Sequence, residues 1–316
     1  MSSQKKALTS FLLPLDNLES FQGTAALMGS MAKVLGDRVE KVTLLHVMEG
    51  SYIAKHMENI DIRVEHVLSS DLIQKLRREH IEKNIQPDMD KAAALLKDMG
   101  VTRSVNIVIE DGNPADVIAD MANQEGYSTV VMQRRGVSKM QEMFMGSVTS
   151  RLLHRDLSAT VYLTGSSDES RDCNTADILI ALDGSEHSKA ALEEAAVLLG
   201  RCTELKKVVL VSVADAASYT SVLESGQTPE EQSLSLLDDA ASMLESSGVP
   251  GDSIIKVARY GKDAASAIEE EVKARKIDTV FMGRRGISAI AELFIGSVSQ
   301  KVIDHCPEQT IVLVTG

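Results

Sequence analysis

A seven-residue pattern in the middle of the chain returns 150 positions later, and no other feature limits the fold as strongly. Val130-Val131-Met132-Gln133-Arg134-Arg135-Gly136 recurs as Val280-Phe281-Met282-Gly283-Arg284-Arg285-Gly286. At the same offset, Glu142-Met143-Phe144-Met145-Gly146-Ser147-Val148 recurs as Glu292-Leu293-Phe294-Ile295-Gly296-Ser297-Val298. A repeat of this kind marks two copies of one structural unit. The length of 316 residues agrees, since domains run to roughly 100–200 residues each. The copies occupy residues 1–165 and 177–316. The polar, aperiodic segment 166–176 reads as their linker.

Each copy alternates short apolar runs with helical patterns. In the second, Asp177–Leu182 suits a buried parallel strand, and Lys207–Val213, Ser253–Tyr260, Thr279–Met282 and Thr310–Val314 read as the other four strands. Between them, Ser185–Leu199, Thr228–Ser247, Asp263–Arg275 and Ser297–His305 read as helices. Thr228-Pro229-Glu230-Glu231 is a helix start with an N-cap, a first-turn proline and first-turn acids. The first copy reads the same way, with strands near Ala7–Leu15, Lys41–Met48, Ser104–Glu110, Ser128–Met132 and Ala159–Leu163. From Asp16 to Gly136 spans 120 positions, against 103 from Asp183 to Gly286. The surplus falls in the helical stretch Tyr52–Met99, which Pro87 is expected to break. Five strands linked by helices predict an α/β fold with a parallel sheet covered on both faces. In such sheets ligands sit at the carboxyl ends of the strands, at the switch point.

The chemistry concentrates after the fourth strand of the second copy. There Gly283-x2-Gly286 is followed after nine residues by Gly296-Ser297, and Ser297 opens a helix. Glycine lets backbone approach a ligand closely, and the free amides of a helix start attract anions. The pattern is neither a Walker loop nor a GxGxxG turn after the first strand. The plainer alternative is that Gly283 and Gly286 only punctuate a strand end. Arg suits phosphate, so Arg284 joins the candidate contacts, with solvent exposure or pairing to nearby acids as its alternative. Asp183 ends the first strand as a candidate base, metal ligand or helix cap.

Composition removes several classes. A net charge of −13 disfavours nucleic acid and anionic membrane surfaces. Aromatic residues make up 3% with no Trp, too few for base-stacking platforms. Cys173, Cys202 and Cys306 show no metal or disulfide spacing, as in a reducing compartment. No run reaches the roughly 18 apolar residues of a membrane span. A cytoplasmic protein is expected. The histidines form no catalytic grouping with Ser and Asp; His46 is expected to pack or hydrogen-bond, and His187 and His305 to lie at surfaces or helix ends.

With these residues in view, the whole chain resembles a tandem universal stress protein. ATP-binding members of that family carry G-x2-G-x9-G-[ST], which Gly283, Gly286, Gly296 and Ser297 match at every fixed position. The resemblance implies two Rossmann-like domains, each a five-stranded parallel sheet of order 3-2-1-4-5. It implies ATP or ADP as ligand, often with a divalent metal such as Mg. Gly283 and Gly286 would line the ribose and α-phosphate, and Gly296, Ser297 and Val298 the outer phosphates. Ala181 and Asp183 would sit by ribose and adenine, and Val213 would offer backbone to adenine. Single-domain members dimerise through strand five, so this chain is expected to make that contact internally as a pseudo-dimer, with a homodimer of the whole chain also open.

The first copy departs from the pattern. Gln133 replaces the first glycine, and Asn17-Leu18 replaces Gly184-Ser185. Asp16, Val47, Gly136, Gly146 and Ser147 remain as weaker counterparts. The expected function is an adenine-nucleotide-binding, regulatory stress-response protein. A slow metal-dependent ATPase resting on Asp183, and a scaffold or small-molecule binder with vestigial loops, are the alternatives.

Overall fold

The structure is a computed structural model that describes residues 8–49, 70–134, 145–165, 176–214, 228–260, 263–286 and 295–316. In the first half the elements are β1 (Ser10–Pro14), α1 (Gln22–Leu35, entered through a 3-10 turn at Glu19–Phe21), β2 (Lys41–Met48), α2 (Ser70–His80), α3 (Gln86–Asp98), β3 (Val105–Asp111), α4 (Pro114–Gln124), β4 (Thr129–Gln133), α5 (Ser147–Leu153) and β5 (Thr160–Thr164). In the second half they are β6 (Asp177–Leu182), α6 (Glu186–Leu199), β7 (Lys207–Ala214), α7 (Pro229–Ser246), β8 (Ile254–Tyr260), α8 (Ala264–Arg275), β9 (Thr279–Gly283), α9 (Ser297–His305) and β10 (Thr310–Val314).

The ten strands among the described residues join one sheet, in the order β3-β2-β1-β4-β5-β10-β9-β6-β7-β8. Within each half every pairing is parallel, and the local order is 3-2-1-4-5 as expected. The halves meet where β5 and β10 pair antiparallel, Ile311 opposite Leu163 and Val312 opposite Tyr162. Alternation along the strands feeds one apolar layer on each face. Phe11 and Leu13 point into the layer under α1, α3, α6 and α7; Leu12 and Val161 point into the layer under α4, α5, α8 and α9. Both layers run across the seam. Tyr162 and Phe281 meet there edge to face, ring centres 6.1 Å apart.

A buried carboxylate also crosses the seam. Glu194 of α6 accepts hydrogen bonds from Thr160 Oγ1 (2.6 Å) and Tyr162 Oη (2.9 Å) of β5. Burial, with this carboxylate alongside, holds the Tyr162 hydroxyl well above its ordinary pKa, so it stays a donor.

Local signals behave as read, with one correction. Thr228 and Glu231 form a reciprocal capping box at the start of α7. Gly248, at φ +103°, follows the end of that helix. Pro87, however, breaks nothing. It stands in the first turn of α3, where no intrahelical N–H is required, and the preceding π turn Ile81–Ile85 carries the helical path on from α2. The linker residues 166–175 lie outside the described residues.

The second half carries a group of carboxylates held below their usual range. Asp263 is lowered by the Ser266 hydroxyl and Lys301, and Glu269 by Lys273 and then His305. At Glu271, burial pushes upward, but Arg275 and Arg259 outweigh it. Depressed folded values mean stability that is present above the unfolded value of about 4.3 and lost as pH falls through the folded values. The urea midpoint should therefore drop steadily below about pH 4.5. Glu271→Gln should flatten that slope, and an unchanged slope would show that these pairs contribute nothing.

Candidate functional site

Chain order in the second half reverses between β6 and β9, and the candidate residues gather at that point. Asp183 follows β6 directly. Gly184, at φ +81°, turns the chain so that Ser185 can cap α6. Ser185 Oγ accepts the Ser188 amide at 3.1 Å. The cap is thus Ser185, which removes helix capping from the three roles open to Asp183. Asp183 Oδ1 instead accepts the Ser185 amide at 3.0 Å and the residue remains exposed. Its other oxygen faces the loop after β9: a Cβ added to Gly286 would lie 2.6 Å from Asp183 Oδ2. Glycine at 286 therefore keeps the space between the two loops open.

Gly283 ends β9 and has a different reason for lacking a side chain. A Cβ there would meet the backbone of His187 and Ser188 at 2.8 Å. The first turn of α6 lies against it. In the first half the corresponding helix enters through the 3-10 turn Glu19–Phe21, and Gln133 is half-buried rather than excluded.

The helix α9 begins at Ser297 with Gly296 as its N-cap, and among the described residues no side chain caps its first turn. Gly296 is held from behind, its amide donating to Arg284 O at 2.9 Å. Ser297 is exposed and Val298 half-buried. Ser299, which the sequence reading overlooked, donates its hydroxyl to Gly283 O at 3.0 Å and ties the helix to the end of β9. The repeat carried the signal: Thr149 does the same toward Arg134 O at 3.2 Å. Val213 lies one position beyond the last β6–β7 pair, Leu182 with Ser212, and is half-buried beside the same opening; Ala181 is half-buried as well. The opening thus combines uncapped amides, a hydroxyl and one exposed carboxylate, a set that suits a phosphorylated, hydroxyl-bearing ligand.

Arg284 departs from its expected role. The residue is 3% exposed, and its guanidinium is turned into the other half, donating to Leu153 O (2.7 Å), Arg155 O (2.7 Å) and Leu157 O (3.2 Å). Three carbonyls, Leu153 at the end of α5 and two in the turn after it, take its terminal nitrogens, so the side chain is directed away from the loop. Burial lowers its pKa to about 10, which leaves it charged at neutral pH. Arg134 mirrors it, 4% exposed, donating to Ile303 O (2.7 Å), Cys306 O (2.7 Å) and Gln309 O (3.0 Å).

In the first half Asp16 is exposed, Asn17 caps the following turn by accepting the Ser20 amide at 2.9 Å, and Val47 is half-buried at the end of β2. Gly146 and Ser147 open α5, which has only seven residues. Gly136 lies outside the described residues. His46 Nδ1 pairs with Leu15 O at 2.9 Å, and His305 Nδ1 with Glu269 Oε2 at 2.9 Å, both structural roles. Among the described residues, no group of three or more His, Cys, Asp or Glu side chains is arranged for a metal, and no helix is long and apolar enough to cross a membrane.

Comparison with known proteins agrees with this architecture. The model of the universal stress protein family matches twice, over residues 12–155 and 175–313. A universal stress protein of Synechocystis is 29% identical over 144 aligned positions, covering 40% of this chain and 90% of that protein. One from Thermus aquaticus is 32% identical over 136, covering 41% and 92%. The crystal structure of a universal stress protein from Archaeoglobus fulgidus superposes over 99% of both chains, with a TM-score of 0.65 at 21% identity. With two family domains covering nearly its whole length and joined in one sheet, the chain belongs to the universal stress protein family as a tandem member.

Proposed function

We propose that the second half binds an adenine nucleotide, ATP or ADP, and that the protein acts as a nucleotide-responsive regulator rather than a metabolic enzyme. One observation carries this reading. Asp183, Gly286 and the uncapped start of α9 converge at the sheet's switch point, in a cradle that a Cβ at 286 would fill. The phosphates would take the amides of Ser297 and Val298 and the Ser297 hydroxyl, where the helix dipole favours negative charge. Asp183 and Ala181 would border the ribose and adenine, and Val213 would offer adenine its backbone beyond the β6–β7 ladder. Asp183 is one carboxylate, so a magnesium ion fits only where the nucleotide's phosphates supply its other ligands. The first half, with Gln133 and a seven-residue α5, is not assigned a nucleotide.

Nucleotide released from the denatured protein and resolved by chromatography should be ATP or ADP. Added ATP at a hundredfold excess over Kd should stabilise the fold by about 2.7 kcal/mol and raise Tm accordingly. Gly296→Val should abolish that rise. Position 296 has an ordinary φ of −74°, and an added Cβ makes only contacts of 3.5 Å or more, so the unliganded Tm should change little. An ATP response that survives Gly296→Val would remove α9 from the site.

A further inference from the structure

Arg134 and Arg284 are the most deeply buried cations described, and neither uses a carboxylate in the bonds given above. Each reaches across the β5–β10 seam to one carbonyl in the last turn of a helix in the opposite half and two in the turn that follows it. Arg134, from the first half, holds Ile303 in the last turn of α9, then Cys306 and Gln309 on the way to β10. Arg284, from the second, holds Leu153, the last residue of α5, then Arg155 and Leu157 on the way to β5. The main chains of the same residues hold the beginnings of the helices in their own halves: Gly146 N–H donates to Arg134 O at 3.1 Å and Gly296 N–H to Arg284 O at 2.9 Å. The contacts close on themselves. From Arg284 O the path runs to Gly296, along α9 to the Arg134 guanidinium, from Arg134 O to Gly146, and along α5 back to the Arg284 guanidinium.

The circuit matters because α9 is short. Nine residues are well below the roughly 12–15 at which a helix holds together by itself in water, so its order comes from its surroundings. A buried cation at the carboxyl end satisfies orphan carbonyls and opposes the negative end of the dipole. With fewer than three turns, fraying at that end reaches the first turn.

We propose that Arg134 is a positioning residue for the second half's anion site: it clamps α9 at the end opposite the phosphates, so that the site in one half is completed by a residue of the other. The first half, poor in its own nucleotide features, then serves as a component of its neighbour's site. The effect on affinity rests on the nucleotide reading above; the clamp itself does not.

The test uses the full chain and reads amide hydrogen exchange without ligand, then ATP affinity. Arg134→Met should speed exchange in residues 300–305 at least tenfold, change that of 150–153 less than threefold, and weaken ATP at least tenfold. Arg284→Met should reverse the exchange pattern, loosening α5 and sparing α9. Arg134→Lys retains the charge without the fork and should lie between wild type and Arg134→Met; it carries the measurement if the methionine variant does not fold. Equal acceleration of both helices, or loosening of α9 with ATP affinity unchanged, overturns the proposal. Loosened α9 in a protein whose wild type binds no ATP upholds the clamp and refutes the nucleotide reading alone.

Discussion

A protein carrying glutamine at position 283, the residue its twin position 133 already holds, is expected to lose about 1–3 kcal/mol of stability through overpacking. The cause is the approach of α6: even a single Cβ would sit 2.8 Å from the His187 and Ser188 main chain, and backbone cannot rotate away as a long side chain can. Gly283→Ala should already show part of the loss. Urea unfolding would register it as a lower midpoint at constant slope, since the surface exposed on unfolding is unchanged. A Gly283→Gln protein as stable as wild type would mean that position 283 is glycine for a ligand's sake alone.

The second large effect concerns Glu194. Replacing it with leucine leaves the hydroxyls of Thr160 and Tyr162, 0% and 1% exposed, without this acceptor. Each such group costs about 1–3 kcal/mol. Glu194→Gln keeps a carbonyl oxygen and should cost less. In a Tyr162→Phe background the leucine substitution should be milder, because one stranded donor is already gone. Strict additivity of the two substitutions would show that the hydroxyl and the carboxylate do not interact.

Much of this architecture was legible in the chain itself. The central strands are short apolar runs, and the repeat set one half beside the other, so the same order could be read twice. Ser297–His305 was readable as a helix to the residue because Gly296 and Pro307 bracket it. The site was less legible, for specific reasons. Arg284 sits between two loop glycines, and nothing local reveals that its side chain leaves the loop for carbonyls 127 to 131 positions away. The packing reason for glycine at 283 was not legible locally, because the first turn of α6 that crowds it is far away in the chain. Glu194 has no acidic twin in α1, so the repeat could not point to it. Pro87 misled because a π turn, which has no sequence signature of its own, accommodated it.

The antiparallel pairing of β5 with β10 has a consequence for mass action. Two separate chains joined along such a strand would part on dilution, and their association would track their abundance. Here both partners are on one polypeptide, so each meets the other at an effective concentration set by the chain between them, however little protein is present. The junction is therefore insensitive to protein level. A signal read through it has to act on its internal geometry, because the number of joined pairs always equals the number of chains.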